Sequence, residues 1–144
     1  MTLVRVCVDA SFVVRLLTVA PEQSPYRELW DQWTEANIPI IAPTLILYEV
    51  TNALYRSAIA GLFSVEVSQE LQSVALDLQI VLYGDGDLHR RAWEMARQFS
   101  MSAAYDAHYL ALADTMQTEL WTADRRLVNL VGSILDWVHL VEAA

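Results

Sequence analysis

Four acids, Asp9, Glu49, Asp106 and Asp124, carry the chemistry this sequence can offer. They lie far apart along the chain, so only folding can gather them. Two carboxylates about 5 Å apart repel by roughly 3 kcal/mol at an effective dielectric near 20. Four in one place raise one another's pKa or recruit a cation. An all-oxygen donor set suits Mg²⁺ or Mn²⁺, which keep several waters and share carboxylates with substrate phosphates. Ions so held activate water, orient a phosphodiester and stabilise the leaving oxygen. Phosphodiester hydrolysis is the reaction these residues suggest.

Each acid also has an ordinary reading. Asp9, Asp106 and Asp124 precede predicted helices, and Asp is a good N-cap. Glu49 lies about a turn into its helix, too deep for a cap. With Leu45, Asn52 and Arg56 it forms a stripe at three- and four-residue spacing that could equally be a solvated face. Asp106 is the most telling, because it opens the most apolar helix in the chain.

The elements that must position these acids follow from periodicity. Residues 3–8 read as a short strand, apolar on both faces apart from Arg5, which suits a central parallel strand. Helices are predicted over Phe12–Leu17, Pro25–Glu35, Leu45–Ala60 with Gly61 closing it, Ser64–Leu76, Asp87–Phe99 with Asp87 as cap, Ala103–Gln117 and Asp124–Val131. Strands are predicted at Ile40–Ala42, Gln79–Leu82, Glu119–Thr122 and, at an edge, Trp137–Leu140. Strands alternating with helices give an α/β domain with a mainly parallel sheet of four to five strands and helices on both faces. Residues 1–144 read as one domain. Ligands of such sheets bind beyond the carboxyl ends of the strands, where Asp9 and Asp124 belong.

With these features in place, four segments resemble a known family. Val8-Asp9-Ala10-Ser11, Tyr48-Glu49-Val50-Thr51-Asn52-Ala53-Leu54, Tyr105-Asp106-Ala107-His108-Tyr109-Leu110-Ala111-Leu112-Ala113 and Leu120-Trp121-Thr122-Ala123-Asp124 resemble the motifs of PIN-domain ribonucleases, VapC-type toxins in particular. The resemblance covers essentially the whole chain. It implies that Asp9, Glu49, Asp106 and Asp124 bind Mg²⁺ or Mn²⁺ and activate the attacking water. It makes Ser11 and Thr122 hydroxyls that support the cluster, and Asn52 a polar companion of Glu49. It further implies an RNA substrate and a cognate antitoxin protein.

Composition adds limits. There is no lysine, and the nine basic residues are arginines. That excludes phosphate-loop hydrolases, Schiff-base enzymes and serine–lysine hydrolases. The net charge of −9 argues against a simple basic nucleic-acid binder. Arg15, Arg125 and Arg126 are the candidate phosphate contacts, since the guanidinium fork donates two hydrogen bonds. Arg90 and Arg91 read as solvated or carboxylate-paired, and His108 as structural. A single cysteine, Cys7, excludes an intrachain disulfide. At 55% hydrophobic, the chain is apolar enough to suggest a homodimer or an obligate partner. No apolar run reaches the roughly 20 residues of a membrane span, so the cytoplasm is the expected compartment.

Two other functions compete. A receiver-type phosphoryl-acceptor domain also places an Asp at a strand end, but it wants an acidic pair there and a lysine later. A catalytically silent PIN-like interaction module would show a missing acid, and none is missing.

Overall fold

The sheet is assembled from five short parallel strands in the order β3-β2-β1-β4-β5. These are β1 (Val6–Val8), β2 (Ile40–Pro43), β3 (Ile80–Tyr83), β4 (Leu120–Thr122) and β5 (Val138–Leu140). They come from a computed structural model that describes residues 4–142. The helices are α1 (Ala10–Thr18), α2 (Pro25–Glu35), α3 (Leu45–Ile59), α4 (Val65–Asp77), α5 (Gly86–Gln98), α6 (Tyr105–Met116) and α7 (Arg125–Val131). A 3-10 turn, Pro21–Gln23, leads into α2. Every strand and helix expected from the sequence is present within a few residues of its expected bounds. Leu3, expected in the first strand, lies outside the described residues.

β1 is central and fully buried, as its two-faced apolar pattern demands. From β1 the chain moves outward through β2 to β3, then crosses back to β4 on the other side of β1. Right-handed crossovers therefore put α1–α4 on one face and α5–α7 on the other. α6 packs directly on β1, β2 and β4. Ala107 and the run Tyr109–Ala113 are all buried, which is why this helix is apolar nearly all round. On the opposite face Phe12 stacks on Trp33 at 5.5 Å and meets Tyr26 edge-on at 5.3 Å.

The strand order reverses between β1 and β4, and that switch point opens a crevice at the carboxyl ends of the two strands. It also removes one rival reading, because receiver domains use the order 2-1-3-4-5. A second correction is local. Asp85, not Asp87, caps α5, accepting from the Leu88 amide at 3.3 Å. Asp87 instead pairs with Arg90 at 2.7 Å. Gly61 ends α3 as expected, at φ +75° with the Leu62 amide donating to the Ser57 carbonyl. Among the described residues no helix is long and apolar enough to cross a membrane.

Candidate active site

β1 ends at Val8, and the next residue, Asp9, turns its carboxyl into the crevice between β1 and β4. Asp9 is only 5% exposed. Its Oδ1 accepts from the Ser11 hydroxyl at 2.6 Å and the Phe12 amide at 3.0 Å. Its Oδ2 accepts from the Thr122 hydroxyl. Ser11 Oγ in turn accepts from the Ala123 amide, and Thr122 Oγ1 from the Asp124 amide, each at 2.9 Å. These two hydroxyls lace the end of β1 to the end of β4. When Asp9 is ionised both hydroxyl protons point at it, so the 3.2 Å contact between Ser11 and Thr122 carries none. Three donors on a carboxylate with about four lone-pair sites leave one site, on Oδ2, for another ligand.

Burial dominates the Asp9 titration. It outweighs the hydrogen bonds from Ser11, Thr122 and Phe12 and, with a smaller push from Asp106, lifts the pKa to about 6. Asp124 is the N-cap of α7, its Oδ1 accepting from the amides of Arg126 at 3.0 Å and Leu127 at 3.4 Å. Capping and lining the crevice are thus compatible for Asp9 and Asp124. Asp106 caps nothing. The N-cap of α6 is Ala104, and no side chain accepts from the amides of that helix start. Burial and then the Asp124 charge raise the Asp106 pKa, while Arg126 draws it down. Glu49 is raised by burial first and also by Asp106, against a hydrogen bond from Tyr109. Asp106 is the common neighbour of the other three acids.

Glu49, Asp106 and Asp124 share a cavity of about 570 Å³ with Arg126. Asp9 is not on its wall and couples to the others through Asp106. The sequence suggested four metal-binding acids. Among the described residues, however, no three His, Cys, Asp or Glu side chains stand close enough to grip an ion directly. An oxygen-only set with this wider spacing fits a hydrated Mg²⁺ or Mn²⁺, which takes one or two carboxylates and keeps its waters. It does not fit a closed cage.

A model of the PIN-domain family matches residues 6–132. This chain belongs to the PIN-domain family. Solved structures share its fold. PAE2754 from Pyrobaculum aerophilum superposes with a TM-score of 0.67 at 24% identity, over 88% of this chain and 79% of that one. A toxin–antitoxin complex from Klebsiella pneumoniae gives 0.69 at 16% identity, over 96% and 99%. VapC20 of Mycobacterium tuberculosis, a toxin that cleaves the sarcin–ricin loop, gives 0.61 at 15% identity, over 90% and 95%. At these identities the likeness concerns the fold. No curated protein matches the chain significantly.

The remaining candidates of this PIN domain divide. Ser11 and Thr122 are in the crevice, bonded to Asp9. Asn52 is exposed on α3, off the cavity wall, with no side-chain hydrogen bond to a described residue. Arg126 lines the cavity; Arg125 does not. Arg15 is exposed in the last turn of α1, off the cavity wall. Arg91 is engaged by Asp114 at 3.0 Å and Glu94 at 3.2 Å. His108 Nδ1 bonds the Ala104 carbonyl at 2.8 Å, and its Nε2 meets His89 Nδ1 at 2.9 Å. Sequence reasoning missed Tyr109. This buried phenol donates to Glu49 Oε1 at 2.5 Å, and burial first, then the Glu49 charge beside it, push its own pKa far up. The signal was available: Tyr109 follows Asp106 by three residues and so shares its helix face.

Proposed function

We propose that this PIN domain is a Mg²⁺- or Mn²⁺-dependent endoribonuclease that hydrolyses RNA phosphodiester bonds, and that it is the toxin of a type II toxin–antitoxin pair. The observation that carries the reading is Asp106. An acid that caps nothing, opens a buried helix and repels three other acids destabilises the fold unless function requires it. Family membership supplies the matching chemistry.

A divalent ion held by Asp106 with Glu49, Asp124 or Asp9 would supply an activated water and offset charge on the leaving oxygen. The chain's own residues do the rest. Ser11 and Thr122 fix the Asp9 carboxyl and hold it ready to ionise. Tyr109 fixes the Glu49 carboxyl through its hydrogen bond to Oε1. Arg126 offers a guanidinium to a backbone phosphate on the same cavity wall as the acids.

The toxin role is supported by the fold shared with the Klebsiella toxin–antitoxin complex and with VapC20. It is supported too by a face between α3 and α4 that exposes Tyr55, Ile59 and Val65 around a groove of about 340 Å³. Such a groove suits an antitoxin segment or a second copy of the chain. The test is cleavage of a mixed RNA pool with Mg²⁺ or Mn²⁺, with chelator, and by Asp9→Asn. Metal-dependent cuts lost in the variant uphold the nuclease. An Asp9→Asn protein as active as the parent would sink the site assignment.

A further inference from the structure

Deepening the nuclease reading, on which it rests, the geometry points to a nucleotide subsite beside the acids, in which Tyr105 stacks on an unpaired base flanking the scissile phosphodiester. Tyr105 is the first residue of α6 and stands directly before Asp106. It is 64% exposed, and its hydroxyl bonds no described residue. A lone exposed aromatic would need no explanation. This one lies on the wall of the cavity that also holds Glu49, Asp106, Asp124 and Arg126.

The cavity is chemically two-sided. Its acids and Arg126 form a charged part suited to a phosphodiester and its counter-ions. Met101, Leu127 and Leu130 form an apolar part, and Leu130 is 45% exposed there although it is a large aliphatic side chain. Arg126 and Leu130 are four residues apart on α7, so a single helix face presents a cation beside an apolar patch. A phosphate beside a flat apolar base is the ligand that matches this pairing. The volume, about 570 Å³, accommodates a nucleotide.

The wall is also preformed. Ser100 sits at φ +51°, where a non-glycine residue is strained. It is held there by the helix end of α5, with the Met101 amide donating to the Ala96 carbonyl at 2.8 Å. Met101 is thereby fixed on the cavity wall. An aromatic ring offers its π-face to any base, but only to one that is out of a duplex. The subsite therefore selects for an unpaired position next to the cut.

The test uses the full chain with Asp9→Asn, so that RNA is bound and not cut, and reads anisotropy of a fluorescein-labelled single-stranded RNA. Tyr105→Ala should weaken binding on the order of tenfold, and Tyr105→Phe should restore it. An abasic site moved along the RNA should cost the Tyr105 protein a similar factor at one position. At that position it should cost the Tyr105→Ala protein nothing more. Unchanged binding in Tyr105→Ala, additive penalties, or no RNA binding at all would overturn the subsite. Cleavage assays on the parent chain judge the nuclease reading separately. RNA that is stacked but never cut would leave the subsite standing and remove the nuclease.

Discussion

Tyr109 on α6 donates a 2.5 Å hydrogen bond to Glu49 on α3, joining helices from opposite faces of the sheet above the end of β1. Tyr109 is 1% exposed and Glu49 is half-buried. The phenol gives the acid a fixed direction that solvent could not. Tyr109→Phe keeps the ring packing and removes the bond. It should cost about 1 to 2 kcal/mol in urea unfolding and lower the cleavage rate on the order of tenfold. A rate equal to the parent's would show that Glu49 needs no such support.

Asp106 should reveal a conflict between stability and function. Its charge raises the pKa of Asp9 and Glu49, and that of Asp124 raises its own. Asp106→Asn removes the shared repulsion without changing shape. In metal-free buffer the variant should be about 1 kcal/mol more stable than the parent, and it should lose cleavage. Thermal scans add an independent readout. Millimolar Mg²⁺ or Mn²⁺ should raise the parent's Tm, because a ligand of the folded state alone stabilises it, and should leave the variant's unmoved. An equal rise in both would place the cation elsewhere.

Asp9 predicts an unusual pH dependence. Its pKa rises from the ordinary 3.8 to about 6, so the folded protein holds this proton more tightly than the unfolded chain does. Its contribution to stability is therefore whole below about pH 3.8 and is lost as pH climbs through about 6. A shift of two units corresponds to about 3 kcal/mol. Asp9→Asn should escape this loss, so in metal-free urea titrations its stability relative to the parent should grow from pH 4 to pH 7. Parallel curves would mean that burial does not govern Asp9.

How much of this was legible beforehand depends on the range of the interaction. The elements were readable because their signals are local: β1 is apolar on both faces, and α6 is apolar all round. The strand-end position of Asp9 and Asp124 followed from those elements. The Ser11 and Thr122 lacing rests on bonds between residues 113 apart, Thr122 to Asp9, and 112 apart, Ala123 to Ser11, and only the motif resemblance suggested it. The Asp85 cap was missed because both Asp85 and Asp87 satisfy cap chemistry, and only backbone geometry chooses between them. Asn52 shares a helical stripe with Glu49 by spacing, yet spacing does not say which part of the stripe faces the cavity. Arg125 and Arg126 are equivalent in composition, and the pitch of α7 alone separates them.

The α3–α4 face gives the last prediction. Tyr55 and Ile59 are one turn apart on α3, 64% and 69% exposed, and Val65 on α4 faces the same groove at 57%. Apolar side chains gathered this way are costly in water, whereas scattered ones are ordinary. If a second copy covers them, light scattering at tens of micromolar should return a mass near twice the 16.3 kDa of one chain. Ile59→Asp should then reduce it to one. Neither residue approaches the acids in the cavity wall, so the variant should keep any cleavage that does not require the dimer. A parent chain that is monomeric throughout would leave this face to the proposed antitoxin alone. In that case Ile59→Asp should weaken antitoxin capture without touching the nuclease.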